Sequence, residues 1–169
     1  LSMSATQSSD PGTPAVRHWI LAPGGMVEAD SLPLDDRGFR YGMHLFETIM
    51  VRGGRPRFLA EHLEKLAAGC AHCGFRLDDR ALDLLARQAR LPPIDDGVLR
   101  LHVTAGDGAL GAPAERTRVI LSAERRAPPG LPLAPARLLT TDARHLAVPP
   151  GMKSGNYWSN TRAQAAALA

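Results

Sequence analysis

The hydrophobic positions in the first third of the chain occur in short runs separated by glycine-rich turns. The runs that predict β-strands are residues 18–21, 26–27, 46–51 and 56–58. Residues 23–25 are Pro-Gly-Gly, and Gly53 and Gly54 separate the second pair of runs. Short apolar runs joined by such turns are typical of β-hairpins. The pattern therefore predicts two hairpins before the first helix.

From residue 59 onward, the apolar spacing changes from that of a strand to that of a helix. The positions that recur at helical spacing are Leu59, Leu63, Leu66, Ala67 and Cys70. Charged residues lie between them, and Gly74 is a C-terminal stop signal. A second helix is predicted from Asp79 to Ala89, because the prolines at positions 92 and 93 would end it.

A further strand is predicted where apolar and polar residues alternate strictly. One face of residues 98–104 carries Leu99, Leu101 and Val103, and the other carries Arg100, His102 and Thr104. A solvated sheet surface would show the same polar face, so this alternation alone does not mark a site. Residues 117–123 predict the next strand. Strands followed by helices and further strands predict an α+β fold, an antiparallel sheet with two helices.

Composition shifts divide the chain into four parts. They are a disordered leader at 1–15, a small N-terminal α+β domain at 16–126, an interdomain linker at 127–135, and the incomplete start of a second, β-rich domain at 136–169. The leader is rich in Ser, Thr, Pro and Gly, and the linker has five Pro or Gly in nine positions. A strand at 136–141 and a helix that begins near Tyr157 and runs to the C-terminus are predicted after the linker.

Charge and hydropathy exclude several classes of function. The net charge is +3 and the pI is about 9.3, but the arginines are scattered among acidic residues and form no basic stripe. We therefore expect no nucleic-acid partner. No run approaches the ~20 apolar residues of a membrane helix, and no signal-peptide pattern is present, so we expect a cytoplasmic protein without a membrane partner.

The two cysteines, Cys70 and Cys73, have the Cys-x-x-Cys spacing of redox and zinc motifs. A structural zinc site needs four ligands, and no second pair follows. A redox pair belongs at the start of a helix, whereas this pair ends an amphipathic segment. The sequence favours ordinary helix cysteines and no metal site.

Four segments in order along the chain resemble the class IV aminotransferases, which are pyridoxal-phosphate-dependent enzymes of fold type IV. They are Asp36–Gly42 with Leu45–Ile49, then Phe58–Leu66, then Leu99-Arg100 leading to Gly106–Gly108, and finally Lys153–Tyr157 with Ser159 and Asn160. The resemblance spans about residues 17–169. It implies the α+β small domain of that family, followed by the start of its larger domain.

The resemblance implies that Lys153 carries the cofactor, its amine forming a Schiff base with the cofactor aldehyde and later moving a proton at the substrate α-carbon. Without the surrounding motif, Lys153 would be interpreted as a surface lysine beside a glycine. Lys65 occupies a position where the family usually has an arginine that grips the cofactor phosphate. Lysine keeps the charge but lacks the planar bidentate fork, and a solvated helix-face lysine is the alternative.

The remaining site residues are also implied by the resemblance. Asn156 and Tyr157 follow the lysine and are expected near the cofactor, pyridoxal 5'-phosphate. Tyr41 and Arg100 are expected on the substrate side, where Arg100 suits a carboxylate. A half-buried sheet residue is the alternative interpretation of Tyr41.

The activity implied by the family is transfer of an amino group between an amino acid and a 2-oxo acid. Within the same family, 4-amino-4-deoxychorismate lyase uses the same lysine and cofactor, and the sequence does not choose between them. The larger domain normally supplies an acidic residue at the pyridine nitrogen and a helix N-terminus for the phosphate. Neither lies in these residues, so we expect a truncated or partly described chain, and a non-catalytic domain is the rival interpretation. The family also implies a homodimer.

Overall fold

The computed structural model describes residues 16–89, 94–128, 130, 135, 140 and 151–168. The elements are β1 Val16–Ala22, β2 Gly25–Glu28, α1 Arg37–Tyr41, β3 His44–Arg52, β4 Arg55–Pro56, α2 Leu59–His72, α3 Asp79–Gln88, β5 Gly97–Thr104, β6 Arg118–Arg125 and α4 Trp158–Leu168. The strands form one sheet in the order β2-β1-β6-β5-β3-β4, and all neighbours are antiparallel. The predicted α+β fold is confirmed.

Both predicted hairpins are present, and the second differs in length from the prediction. Gly53 and Gly54 have φ values of 54° and 70°, which glycine adopts without strain in a two-residue hairpin turn. The return strand was expected at residues 56–58, but β4 contains only Arg55–Pro56. Phe58 has φ 53° and directly precedes α2, so the chain leaves the sheet before it can extend the strand.

The two predicted helices cover one face of the sheet. α2 ends near Gly74, which has φ 68°, and α3 begins after Asp78, whose side chain accepts a hydrogen bond from the amide of Ala81 at 2.8 Å. The core between the helices and the sheet includes Leu45, Ile49, Leu63, Leu66, Cys70, Leu85, Leu99, Leu101 and Val103. The hydrophobic period alone therefore predicted the buried faces of α2 and β5, and the burial of Leu85 in α3.

The helix α1 was not predicted, because its five residues are too short to show a hydrophobic period. Asp36 accepts hydrogen bonds from the amides of Gly38 and Phe39 and so caps the helix. Gly42, with φ 66°, ends it. This short helix leads directly into β3.

The register between β3 and β5 sets which side chains share a face. Leu45 is opposite Val103 and Glu47 is opposite Leu101, whereas Phe46 is opposite His102. Leu45, Leu101 and Val103 belong to the core beneath the helices, so Glu47 lies on the helix-covered face. Phe46 and His102 lie on the other face.

Several predicted features lie outside the described residues. They are the leader at 1–15, the prolines at 92 and 93, five of the nine residues of the linker at 127–135, and all of the strand at 136–141 except residue 140. The helix expected from about Tyr157 is confirmed as α4.

Candidate active site

A buried glutamate lies at the centre of the candidate site. Glu47 is 2% exposed and stands between Leu45 and Ile49 in β3, on a face that is otherwise apolar. Its Oε2 lies 2.8 Å from Nδ1 of His62, and its Oε1 lies 3.3 Å from Nζ of Lys65. Nζ of Lys153 lies 3.7 Å from Oε2. Three nitrogen-bearing side chains therefore converge on one carboxylate.

Two separate parts of the fold bring these side chains together. His62 and Lys65 are three residues apart on α2, so they lie on the same side of the helix. Lys153 arrives from the other direction, beside the start of β3. The amide of Phe46 donates to the carbonyl of Lys153 at 3.0 Å, and the amide of Gly155 donates to the carbonyl of His44 at 3.2 Å. A β-bridge between Leu45 and Ser154 completes this contact.

The contacts of Glu47 include every lysine in the chain. The sequence contains only Lys65 and Lys153, whereas the other basic residues are arginines. Both lysine ammonium groups reach the same carboxylate. The structure thus brings together the two residues that the resemblance assigned to the cofactor lysine and the cofactor phosphate.

The segment at 152–155, which we call the lysine segment, packs closely against its neighbours. Atoms of Met152 lie within 3.5 Å of the position that a Cβ would occupy on Gly69 of α2. A Cβ on Gly155 would lie 1.6 Å from Cε1 of His44, so only glycine fits there. The backbone at Lys153 is therefore held by packing on both sides of it.

The other face of the sheet carries a row of rings next to the lysine segment. The ring of Tyr157 lies 5.5 Å from that of Phe46, and the ring of Phe46 stacks on His102 at 5.6 Å. Burial lowers the pKa of His102 to about 4, with smaller contributions from His44, Arg100 and His18. Tyr157 therefore touches a neutral, largely apolar surface.

Arg100 lies on this second face, not beside Glu47. Its Nη1 donates to Oε2 of Glu124 at 2.8 Å. The guanidinium of Arg126, then that of Arg100, holds the pKa of Glu124 below its usual range. The side chain of Arg100 is 30% exposed. It lies next to His102, which is two residues further along β5 on the same face. The polar face of β5 is thus partly buried and not a fully solvated surface.

Tyr41 and Asn156 have fewer described contacts. Tyr41 ends α1 and is 39% exposed, with the guanidinium carbon of Arg40 5.0 Å from its ring centre. Asn156 is exposed between the lysine segment and α4. The structure therefore places Asn156 next to the lysine segment and places Tyr41 at the entry to β3.

The residues at 36–38 of the recognised motif hold the fold together around the site. The guanidinium of Arg37, 1% exposed, donates to the carbonyls of Ala105, Gly106 and Ala112. The carboxylate of Asp36 pairs with Arg118. Buried charges satisfied in this way position the start of β3 relative to the loop after β5.

The sequence interpretation did not single out Glu47 or His62. A signal for Glu47 was present, because a glutamate occupies an apolar position in the alternation Leu45-Glu47-Ile49. His62 gave no such signal, since a polar residue on an amphipathic helix is ordinary.

Neither the cysteines nor a cluster of metal-binding side chains forms a second site in the described part of the chain. Burial raises the pKa of the Cys70 thiol to about 12, which is the opposite of what a reactive thiolate requires. Cys73 is a free, exposed thiol. Among residues 16–89, 94–128 and 151–168, no group of three or more metal-binding side chains is found. No described helix is long and apolar enough to cross a membrane.

The two lysines thus meet on one buried carboxylate of the antiparallel sheet. The sequence model of the amino-transferase class IV family matches residues 44–169. The chain therefore belongs to this family, whose members depend on pyridoxal phosphate. No curated protein sequence matches the chain significantly.

Several solved structures are similar to the chain. A 4-amino-4-deoxychorismate lyase from Pseudomonas aeruginosa is 41% identical over 65% of this chain and 40% of its own, with a TM-score of 0.52. A fold IV transaminase from Curtobacterium pusillum is 24% identical over 68% and 44%, with a TM-score of 0.50. The branched-chain amino acid aminotransferase of Escherichia coli is 20% identical over 86% and 53%, with a TM-score of 0.61. The last two show the shared fold.

The chain spans about half, or less, of the length of these structures.

The side chains present fit pyridoxal phosphate in two respects. Lys65 and Lys153 are 43% and 39% exposed, so both ammonium groups reach the surface beside the sheet. An ammonium group has three donors, and the contact with Glu47 uses one of them on Lys65. One lysine is therefore available for a phosphate and the other for an aldehyde.

Proposed function

We propose that this chain supplies the lysine-bearing part of a pyridoxal-phosphate-dependent enzyme that moves an amino group between an amino acid and a 2-oxo acid. The observation that carries the proposal is the convergence of Lys65 and Lys153 on buried Glu47. When bound, pyridoxal phosphate withdraws electrons from the substrate α-carbon. Lys153 would hold the cofactor covalently and move the proton at that carbon, and Lys65 would bind the phosphate.

The other proposed roles follow from position. Asn156 and Tyr157 adjoin the lysine segment and would line the cofactor. Arg100 would bind a substrate carboxylate, because a guanidinium has five donors and Glu124 occupies only part of them. Tyr41, at the entry to β3, would contact the substrate.

A second candidate is 4-amino-4-deoxychorismate lyase activity. It is favoured by the 41% identity to the Pseudomonas aeruginosa lyase. Lys153 would perform the same proton transfer at the substrate α-carbon, and pyruvate would be eliminated to give 4-aminobenzoate. Both candidates therefore depend on the same lysine.

We also propose the arrangement of the whole enzyme. Residues 16–126 would form the small domain, and residues 136–169 would begin the larger cofactor-binding domain after the linker at 127–135. The enzyme would act as a cytoplasmic homodimer.

Borohydride reduction in the presence of pyridoxal phosphate tests the role of Lys153. The intact mass should increase by one reduced cofactor, and peptide mapping should place it on Lys153. Lys153→Arg keeps the charge but cannot form the bond, so its adduct should be lost. Lys65→Arg is the matched control and should keep the adduct on Lys153. An adduct on Lys65 or the N-terminal amine alone, or none at all, would contradict the proposal.

The two candidate reactions differ in their products. An aminotransferase should convert a 2-oxo acid to an amino acid at the expense of a second amino acid. A lyase should instead release pyruvate and 4-aminobenzoate from 4-amino-4-deoxychorismate. Chromatographic measurement of both sets of products with the same preparation decides between them, and Lys153→Arg should abolish either activity.

A further inference from the structure

We infer that Glu47 is a positioning residue that fixes the two lysines relative to each other, and that His62 fixes Glu47. The inference rests on the proposed function, because it concerns how this chain presents its phosphate-binding and aldehyde-binding amines. Glu47 would not contact the substrate. It would set where Lys65 and Lys153 stand before the cofactor arrives.

The placement of Glu47 is unfavourable for the fold by itself. Its side chain is 2% exposed, and its cross-strand neighbour Leu101 is fully buried. Taking a carboxylate out of water is costly unless it is paired and hydrogen-bonded. An apolar side chain at this position would continue the alternation of β3 and is often as stable as a buried ion pair. The contacts of this carboxylate with Lys65 and Lys153 therefore best explain why a glutamate occupies this position.

The contacts divide between the two carboxylate oxygens. Lys65 lies at Oε1, whereas His62 and Lys153 lie at Oε2. A carboxylate paired with ammonium groups is an acceptor, so the Nδ1–H of His62 donates to it. No buried side-chain nitrogen or oxygen in the described residues lacks a partner, so the cluster is satisfied. This division holds the two amines on different sides of one rigid group.

Positioning is needed because lysine side chains are flexible. A lysine has four rotatable bonds, and a misplacement of the reacting amine by about 1 Å can reduce a rate by roughly a hundredfold. Lys65 sits on α2 and Lys153 in the lysine segment, two elements far apart in sequence. Within the described residues, the carboxylate of Glu47 contacts both lysines.

The test uses Glu47→Gln, which keeps the shape of the side chain and removes its charge. We expect it to weaken pyridoxal phosphate binding and to slow borohydride trapping on Lys153, each by roughly ten- to a hundredfold. Binding is measured by titration of the cofactor absorbance, and trapping by the time course of the intact mass. Thermal unfolding of each variant is recorded alongside.

The matched control is Glu124→Gln. Glu124 is also a nearly buried carboxylate with two cationic partners, Arg100 and Arg126, but it contacts neither lysine. It should change thermal stability and leave cofactor affinity and trapping rate at the wild-type values.

A second pair of variants decides the inference even if Glu47→Gln does not fold. His62→Ala removes the donor to Glu47 at a partly exposed position and should slow trapping by severalfold. His62→Asn restores an N–H donor and should recover most of the rate. A role in stability alone would lower the unfolding temperature without changing the trapping rate of the folded protein.

Two outcomes are distinguishable. If the wild-type protein forms the Lys153 adduct, but folded Glu47→Gln or His62→Ala forms it at the wild-type rate and affinity, then this inference is overturned and the proposed function stands. If the wild-type protein forms no adduct on Lys153, the proposed function itself fails.

Discussion

Single ionisable residues behave differently on the two faces of the central sheet. On the helix-covered face, Glu47 is compensated by His62 and both lysines. On the other face, the imidazoles of His44 and His102 lie 5.7 Å apart, and burial lowers the pKa of each. These two imidazoles therefore remain uncharged at neutral pH.

The pKa of His102 gives a prediction for stability against pH. The pKa of His102 is about 4 in the folded protein, whereas an ordinary histidine, as in the unfolded chain, has a pKa of 6.5. Between these two pH values the unfolded state therefore binds more protons than the folded state. The free energy of unfolding is therefore highest above pH 6.5 and falls as the pH drops toward 4. The total loss, reached below both pKa values, is roughly 3 kcal/mol. His102→Gln should lose less stability over this range, as measured by denaturant unfolding at a series of pH values.

The control for this prediction is His72→Gln, at the exposed end of α2. It should keep the wild-type dependence of stability on pH. Equal acid sensitivity in His102→Gln and the wild-type protein would show that His102 is not the responsible group.

At the scale of elements, the site depends on how the lysine segment docks on the start of β3. Two backbone hydrogen bonds and one β-bridge join them. The two segments, at residues 44–46 and 153–155, are far apart in the sequence. Gly155 lies directly against the imidazole ring of His44, and Met152 packs against Gly69 of α2. Close packing at Gly155 and Gly69, together with these backbone hydrogen bonds, therefore places the backbone at Lys153.

Gly155→Ala tests this docking. Its Cβ would lie 1.6 Å from Cε1 of His44, so the lysine segment must shift away from β3. Overpacking of this kind typically costs about 1–3 kcal/mol. We expect a lower free energy of unfolding and slower borohydride trapping on Lys153. Both are measured on the same preparation.

Two further variants control for this substitution. Adding His44→Ala to Gly155→Ala removes the ring that clashes, and should recover part of the trapping rate. Gly24→Ala adds a Cβ that meets nothing within 4 Å and should behave as the wild-type protein. Wild-type trapping by Gly155→Ala would show that the docking observed here does not govern Lys153.

At the scale of the whole molecule, the two faces of the sheet are covered unequally. The helices α2 and α3 cover one face, whereas a cavity of about 360 Å³ opens on the other. Its lining includes His18 and Ile20 of β1, with Leu34 and Phe39, which are 76% and 67% exposed. Large apolar side chains left open to solvent are typical of surfaces that another domain or subunit covers.

The proposed homodimer is a prediction at this scale. Light scattering coupled to size-exclusion chromatography should give a mass twice that of the polypeptide, as determined by mass spectrometry of the same sample. The dimer should persist on dilution, because the interfaces of permanent homodimers are usually extensive. A mass equal to one polypeptide at all concentrations would contradict the proposal.

Much of the fold could be predicted from the sequence because the signals are local. The spacing of Leu59, Leu63 and Leu66 predicted α2, and the glycines at 53 and 54 predicted a hairpin. The short length of β4 and the helix α1 could not be predicted, because a left-handed Phe58 and a five-residue helix leave no periodic pattern. For the site, Lys153 and Lys65 came from the resemblance of their segments, not from residue chemistry.

The sequence by itself determined the order of most helices and strands, the buried faces of α2 and β5, and the family to which the chain belongs. These depend on periodicity and on short motifs, which are properties of neighbouring residues. Only the tertiary structure decided that Glu47 is the shared partner of Lys65, Lys153 and His62, and that Arg100 stands on the opposite face of the sheet. Such contacts join residues far apart in the chain, and they are set by strand register and by the docking of the lysine segment, which no local pattern encodes.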